Sequence, residues 1–152
     1  MAYPVAESRE IGAPAERVWE LVSDLPRMGE WSPENQGGRW IKGATGPALG
    51  AGFLGKNRNG LRRWTTKATV VQCEPGKVFE ISITVGSMPV AHWLYEFEPT
   101  PGGCTVTESW DDHRKGWMKV VARPMGVHDA DKAKSEMAAT LANLARAAEH
   151  PA

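Results

Sequence analysis

The feature that most constrains this sequence is a period-two alternation of apolar and polar residues, which runs from Arg39 to Trp110. Successive side chains of a β-strand point to opposite faces of its sheet, so the pattern predicts antiparallel strands with one buried and one solvated face. Turn signals separate the predicted strands at Gly46-Pro47, Asn59-Gly60, Pro75-Gly76 and Pro101-Gly102-Gly103. Asn59-Gly60 is the strongest hairpin signal among them.

The alternation assigns each predicted strand a buried face. One strand places Phe79, Ile81, Ile83 and Val85 on the buried face and Glu80, Ser82 and Thr84 on the solvated face. The other buried positions are Trp64, Thr66, Ala68 and Val70, then Trp93, Tyr95 and Phe97, then Cys104, Val106, Glu108 and Trp110. These assignments predict an antiparallel meander with one wet face.

Helical periodicity marks both ends of the chain. The segment APAERVWELVSDL has Pro14 where a first turn tolerates proline, and its apolar residues then recur at helical spacing until Pro26. The segment from Asp129 to His150 predicts one long amphipathic helix of about 30 Å, with Asp129 as its N-cap. Its apolar stripe consists of Ala130, Ala133, Met137, Leu141, Leu144 and Ala148.

The stretch from Pro26 to Trp40 fits neither a long helix nor a clean strand. Trp31 and Trp40 favour burial, whereas the turn-forming residues between them keep the backbone near the surface. We therefore expect an ordered loop over an apolar region, with Gly37-Gly38 shaping the turn into the next strand.

Composition excludes several classes of protein. The 152 residues, 41% of them hydrophobic, fit one globular domain spanning 1–152, and 18 basic residues balance 18 acidic ones. We expect no nucleic-acid partner, no membrane span and a cytoplasmic location. No phosphate loop, dinucleotide fingerprint or metal-ligand spacing is present, so no cofactor or metal is predicted. Cys73 and Cys104 are expected to be reduced, although a disulfide between them stays an alternative. A homodimer also stays possible.

Several motifs, in order, carry a family resemblance: IGAPAERVWELVSD, WSPE, GAGFLGKN, RRWTT, HWLYEFEP and TVTESW. The sequence resembles the START-like (SRPBCC) superfamily, and within it the polyketide cyclase/dehydrase family, from about Val5 to Glu149. The resemblance implies an α+β helix-grip fold, in which a curved antiparallel sheet of about seven strands wraps around a long C-terminal helix.

The resemblance also implies a cavity between the sheet and the C-terminal helix, where such proteins bind lipids, polyketides or other hydrophobic molecules. WSPE would lie near the cavity mouth, and the segment from Arg114 to Val127, with Trp117, Met118 and Met125, would form the opposite lip. The expected ligand-binding residues are Trp31, Phe53, Asn57, Trp64, Thr66, Phe79, Ile81, Trp93, Tyr95, Glu108, Trp110, Met137 and Leu141. Close packing without a cavity is the alternative.

Two polar residues share the predicted buried face with the aromatic residues. Unpaired, the amide of Asn57 or the carboxylate of Glu108 would cost several kcal/mol there. Their partners could be each other, Tyr95, a buried water or a bound ligand. Alternatively, a one-residue bulge would turn Glu108 outward to solvent.

Two further clusters are weaker candidates for a site. Asp111, Asp112 and His113 combine carboxylates with an imidazole, but adjacent residues diverge in direction, which favours a solvated strand end. The basic hairpin of Lys56, Arg58, Arg62 and Arg63 could attract an acidic partner or a phosphate, and a solvated edge is its commoner meaning.

Three functions are consistent with these observations. The first is the binding of a small hydrophobic molecule in the cavity. The second is a polyketide cyclase or dehydratase, in which Glu108 acts as catalytic acid or base while Asn57 or Tyr95 holds the substrate carbonyl. The third is a protein-interaction module, which an exposed apolar patch would favour over an internal cavity.

Overall fold

The computed structural model describes residues 5–33, 35–114 and 130–150, which form seven strands, two α-helices and a 3-10 helix. The strands are β1 (Val5–Ile11), β2 (Asn35–Ile41), β3 (Gly52–Asn59), β4 (Arg62–Glu74), β5 (Val78–Val85), β6 (Met88–Thr100) and β7 (Gly103–Asp112). The helices are α1 (Ala15–Ser23), the 3-10 helix Leu25–Glu30 and α2 (Ala130–Glu149).

All seven strands join one antiparallel sheet in the order β1-β7-β6-β5-β4-β3-β2. Strands β2 to β7 form the predicted meander, and β1 completes the sheet beside β7. The predicted hairpin between β3 and β4 is present, since Asn59 pairs with Arg62 and Gly60 adopts φ 64°. The sheet is open and curved, with α2 against it, so the predicted helix-grip fold is confirmed.

The stretch from Pro26 to Trp40 is more regular than predicted. Pro26 lies within the 3-10 helix, and β2 begins at Asn35 instead of following a loop to Arg39. The double glycine lies in an irregularity of the β2–β3 pairing, and φ is 84° at Gly37. A Cβ on Gly38 would collide with the Leu54 carbonyl oxygen, so the strands approach this closely only with glycine there.

The helices bury their predicted stripes against the sheet. On α2, the described stripe residues Ala133, Met137, Leu141, Leu144 and Ala148 are all buried. This helix packs against α1, β1 and β7. The buried side chains form two apolar clusters, a larger one around α1 and Leu144 and a smaller one around Trp110 and Met137.

The outer face of the sheet, which was predicted to be solvated, is buried at its centre. Glu80, Leu94 and Ser109 occupy adjacent cross-strand positions on that face, and all three are buried. Glu80 tolerates burial because Gln72 donates a hydrogen bond to its Oε1 and the His92 ring lies within hydrogen-bonding distance of its Oε2.

Cys73 and Cys104 are free thiols, so no disulfide joins them. Within the described ranges, no helix is both long and apolar enough to cross a membrane.

Candidate functional site

A cavity of about 180 Å³ lies between the inner face of the sheet and α2. Its walls include members of both apolar clusters, so it occupies the place where the two parts of the core meet. Within the described part of the chain, the lining residues are Met28, Ser32, Asn35, Asn57, Trp64, Thr66, Ile81, Ile83, Val90, Ala91, Trp93, Tyr95, Glu108, Trp110, Arg114, Glu136, Met137 and Thr140. The structure therefore has the expected cavity, and the alternative of close packing without one is excluded.

Three tryptophans give the cavity an aromatic wall. Trp64 is on β4, while Trp93 and Trp110 are directly paired across β6 and β7. The rings of this pair lie 6.1 Å apart between centroids, at an interplanar angle of 36°. The period-two pattern predicted the direction of all three side chains, because each occupies an inward-facing position of its strand.

The polar centre of the cavity is the pair Glu108 and Tyr95. These residues are direct cross-strand partners, and the Tyr95 hydroxyl donates a hydrogen bond of 2.8 Å to Oε2 of Glu108. Glu108 is 2% exposed, and its other oxygen, Oε1, has no hydrogen-bond partner. The β6–β7 register is continuous here, so the alternative of a bulge that turns Glu108 outward is excluded.

Burial raises the pKa of Glu108 to about 8, the Tyr95 hydrogen bond opposes this rise, and the nearby charge of Glu136 adds to it. At neutral pH the carboxyl is consequently protonated and neutral. Burial, followed by the influence of Glu108, also places the pKa of Tyr95 well above its ordinary value. The Tyr95 hydroxyl already donates its one proton to Glu108, so the protonated carboxyl of Glu108 is the group of this pair that can donate a hydrogen bond into the cavity.

A second polar pair lies on the β3–β4 side of the cavity. The side-chain amide of Asn57 donates a 3.1 Å hydrogen bond to the Thr66 hydroxyl. Asn57 and Glu108 therefore have separate partners and do not pair with each other. Because both amide and hydroxyl groups can accept as well as donate, this wall accommodates a polar atom of either type.

Charged groups also reach the cavity wall. The guanidinium of Arg114 donates two hydrogen bonds of 2.9 Å to the carboxylate of Asp112, which balances its charge. On α2, Glu136 and Thr140 line the opposite wall. Among the described residues, the cavity wall therefore combines the carboxyl groups of Glu108 and Glu136 with the guanidinium of Arg114, which is paired with Asp112.

Nine of the thirteen predicted ligand-binding residues line the cavity: Asn57, Trp64, Thr66, Ile81, Trp93, Tyr95, Glu108, Trp110 and Met137. The other four, Trp31, Phe53, Phe79 and Leu141, belong to the packed core. Phe53 packs edge-on against Trp40, and Phe79 packs edge-on against Trp19. Trp31 is 2% exposed, and α2 is anchored to its carbonyl oxygen by the side chain of Asn143.

The sequence arguments missed several lining residues. Glu136 and Thr140 are four positions apart on α2 and flank Met137, so helical spacing was a usable signal for them. Met28 and Ser32 come from the segment around the 3-10 helix, and Arg114 follows the end of β7. No periodic pattern pointed to these three, although the family resemblance placed Ser32 near the cavity mouth and Arg114 at the start of the opposite lip.

The weaker candidates lie elsewhere. The His113 ring is 2.8 Å from a carboxylate oxygen of Asp111 and stacks on His92, with centroids 4.5 Å apart. Among the described residues, no group of three or more possible ligands could hold a metal ion. The expected lip residues Trp117, Met118 and Met125, together with Glu34 and the expected N-cap Asp129, lie outside the described residues.

Comparisons with known proteins agree with the fold and identify a family. The family model "Polyketide cyclase / dehydrase and lipid transport" matches residues 4–149. A polyketide-cyclase-like protein of Corynebacterium glutamicum is 33% identical, with 93% of this chain and 80% of that chain covered and a TM-score of 0.53. No curated protein matches.

More distant structures share the fold. A Chromobacterium violaceum protein is 12% identical, with 96% of this chain and 97% of that chain covered and a TM-score of 0.73. The di-domain ARO/CYC protein StfQ of the steffimycin biosynthetic pathway is 14% identical, with 95% of this chain and 49% of that chain covered and a TM-score of 0.73. Because its family model matches nearly the whole chain, this protein belongs to the polyketide cyclase/dehydrase family.

Proposed function

We propose that this protein binds a small, neutral and largely apolar molecule that carries one hydrogen-bonding oxygen. The observation that carries the proposal is the partnerless Oε1 of Glu108, which is buried beside a cavity with an aromatic wall. A buried polar atom without a partner costs about 1–3 kcal/mol, and a ligand oxygen would remove that cost.

The protonation state of Glu108 determines which type of ligand oxygen can bind to it. A neutral carboxyl donates a hydrogen bond to a carbonyl or hydroxyl oxygen. A carboxylate ligand would instead bring a negative charge into a buried site that already holds the charge of Glu136, and the nearby Arg114 is already paired with Asp112. Ketones, phenols and alcohols are thus favoured over acids.

Cavity size limits the part of the ligand that is enclosed. A cavity of about 150 Å³ accommodates benzene, so the 180 Å³ here holds one aromatic ring or a short alkyl chain. Asn57, Trp64, Val90 and Arg114 on its wall are only half-buried. A larger molecule would place one ring inside and extend outward past these residues.

A matched series of one-ring probes tests the proposal. Acetophenone, ethylbenzene and benzoate have similar size and differ in their oxygen and charge. Binding is measured from NMR shifts of the indole N–H signals of Trp64, Trp93 and Trp110. We expect acetophenone to bind about fivefold more tightly than ethylbenzene, as one hydrogen bond predicts, and benzoate to bind most weakly.

Variants at position 108 provide the control. Glu108→Gln keeps a donor and should keep the preference for acetophenone, whereas Glu108→Leu should lose it. Acetophenone binding by the wild type should also weaken above about pH 8, where Glu108 loses its proton. Preferential binding of benzoate, or no binding of any probe, would refute the proposal.

A second candidate function is proton transfer in a cyclase or dehydratase reaction. The supporting observation is Glu136, which supplies the additional carboxyl group that such a reaction needs. In that mechanism the Glu136 carboxylate removes a proton from the carbon next to a ketone, and Glu108 donates its proton to the ketone oxygen to give an enol. A pKa of about 8 suits Glu108 to acid catalysis near neutral pH.

Deuterium exchange distinguishes the enzyme from the binding protein. In D₂O, proton transfer would exchange the methyl hydrogens of acetophenone faster than buffer alone, and Glu136→Gln would abolish the acceleration while acetophenone still binds. If acetophenone binds but its hydrogens exchange no faster than in buffer, the proton-transfer reaction is excluded and the binding function is retained.

A further inference from the structure

Charge is strongly segregated along this chain although its total is balanced. Residues 35–73 contain seven of the 18 Lys and Arg residues and none of the 18 Asp and Glu residues. This segment forms β2, β3 and most of β4, so one side of the sheet is basic. A neutral protein with such a segregated surface still attracts anionic partners locally.

Some of these like charges lie close enough to repel one another. Arg58 and Arg63 are directly opposed across β3 and β4, and like charges in that relationship are destabilising. Further along the same face, the charge of Lys42 lowers the pKa of Lys67. Repulsion of this kind is relieved when an anionic surface neutralises the side chains.

An apolar side chain projects from the centre of this basic region. Leu61, at the β3–β4 turn, is 99% exposed and is followed directly by the exposed Arg62 and Arg63. Val85 and Met88 flank the β5–β6 turn and are each 38% exposed. In the antiparallel sheet both turns lie at the same end, which we call the hairpin end.

The hairpin end is also the cavity end. Asn57 and Trp64 of the cavity wall lie within four residues of the β3–β4 turn, and Ile83 and Val90 lie equally close to the β5–β6 turn. A surface that contacts the hairpin end therefore faces the half-buried part of the cavity wall.

We propose that the hairpin end docks on an anionic lipid bilayer, with Leu61 inserted among the acyl chains and Arg58, Arg62 and Arg63 at the lipid headgroups. Arginine side chains suit this depth because their apolar stems follow the inserted residue while their guanidinium groups contact phosphates. An exposed leucine at the apex favours a bilayer over a nucleic acid, which offers no apolar phase. Docking goes beyond the proposed ligand binding, and it would bring the cavity next to a reservoir of apolar molecules.

Vesicle flotation tests the docking. The probes are vesicles of phosphatidylcholine alone and vesicles that also contain about 30% phosphatidylserine, at low and at high salt. We expect binding only to the phosphatidylserine vesicles, with a loss at high salt. The double variant Arg62→Glu/Arg63→Glu and the single variant Leu61→Asp should each lower the partition coefficient about tenfold or more.

Matched controls lie at the other end of the sheet. Arg9→Glu/Lys77→Glu makes the same change in net charge, and Leu49→Asp alters another exposed leucine, which is 73% exposed. Both controls should bind vesicles like the wild type. Equal losses in the controls, equal binding to both kinds of vesicle, or binding to DNA but not to vesicles would overturn the proposal.

The outcome is separable from that of the proposed function. Flotation requires no ligand in the cavity, and Glu108→Leu should float like the wild type. Conversely, Leu61→Asp should bind acetophenone like the wild type in the absence of vesicles.

Discussion

Two buried glutamates on opposite faces of one sheet differ in how fully they are hydrogen-bonded. Glu80, on the outer face, is 5% exposed, and its two oxygens face Gln72 at 2.6 Å and His92 at 2.9 Å. Glu108, on the inner face, is 2% exposed, and only one of its oxygens has a partner. Burial alone therefore does not separate a structural carboxyl from a candidate functional one.

The difference lies in what surrounds the second oxygen. Around Glu80, protein groups occupy both oxygens, so the carboxyl joins β4, β5 and β6. Around Glu108, the second oxygen lies at the wall of a cavity, and desolvation holds the group neutral. We infer that Glu80 stabilises the sheet, whereas Glu108 has the proposed role of binding a ligand. Four predictions test this contrast.

The largest expected effect is the pH dependence of stability at Glu108. The folded state holds its proton up to about pH 8, whereas the ordinary pKa is 4.5, so stability is lost as pH rises between these values. Each rise of one pH unit lowers the unfolding free energy by up to about 1.4 kcal/mol, which amounts to about 4 kcal/mol from pH 5 to 8. The Glu108→Gln variant lacks this titrating group. Relative to the wild type, its unfolding free energy should therefore rise by this amount between about pH 5 and pH 8. Parallel curves would contradict the assignment.

The next effect concerns Glu80. The substitution Glu80→Ala removes the hydrogen-bonding partner of Gln72 and His92. It should lower the unfolding free energy by about 2–3 kcal/mol. Acetophenone affinity should stay unchanged, because Glu80 lies on the other face of the sheet. Denaturant unfolding and the NMR titration measure the two quantities. An altered affinity with unaltered stability would reverse the roles given to the two glutamates.

A smaller change should follow from Tyr95→Phe. This variant loses one hydrogen bond, worth about 1 kcal/mol. Because the Tyr95 hydroxyl lowers the pKa of Glu108, the variant should also titrate above the wild-type value of about 8. Carbon-13 NMR of the Glu108 carboxyl gives this pKa directly. An unchanged or lower pKa would show that Tyr95 does not stabilise the ionised form.

The smallest effect is expected for Glu136→Gln. Removal of this charge should lower the pKa of Glu108, because Glu136 raises it in the wild type. The shift should be smaller than that of Tyr95→Phe, because Glu136 contributes least to the pKa of Glu108. Thr140→Val, on the same wall of α2, is the uncharged control and should leave the titration where it is.

The period-two pattern predicted the direction of several side chains in the candidate site. The alternation along β4, β6 and β7 predicted Trp64, Trp93 and Glu108 on the inner face, and the structure has them there. By contrast, Phe53 and Phe79 face inward as predicted yet pack against other aromatic rings. A strand pattern gives the direction of a side chain and does not reveal whether another side chain fills the space in front of it.

The sequence by itself determined most of the strands and helices, because periods of 2.0 and 3.6 are properties of the local backbone, and its motifs identified the family. The continuous β6–β7 register of the structure then excluded the bulge that would have turned Glu108 outward. Only the tertiary structure decided where the cavity lies, which residues line it and why Glu108 is neutral while Glu80 is hydrogen-bonded through both oxygens. A cavity is the volume left over between side chains from distant parts of the chain. A pKa depends on desolvation by those same neighbours, so neither can be read from the spacing of residues along the sequence.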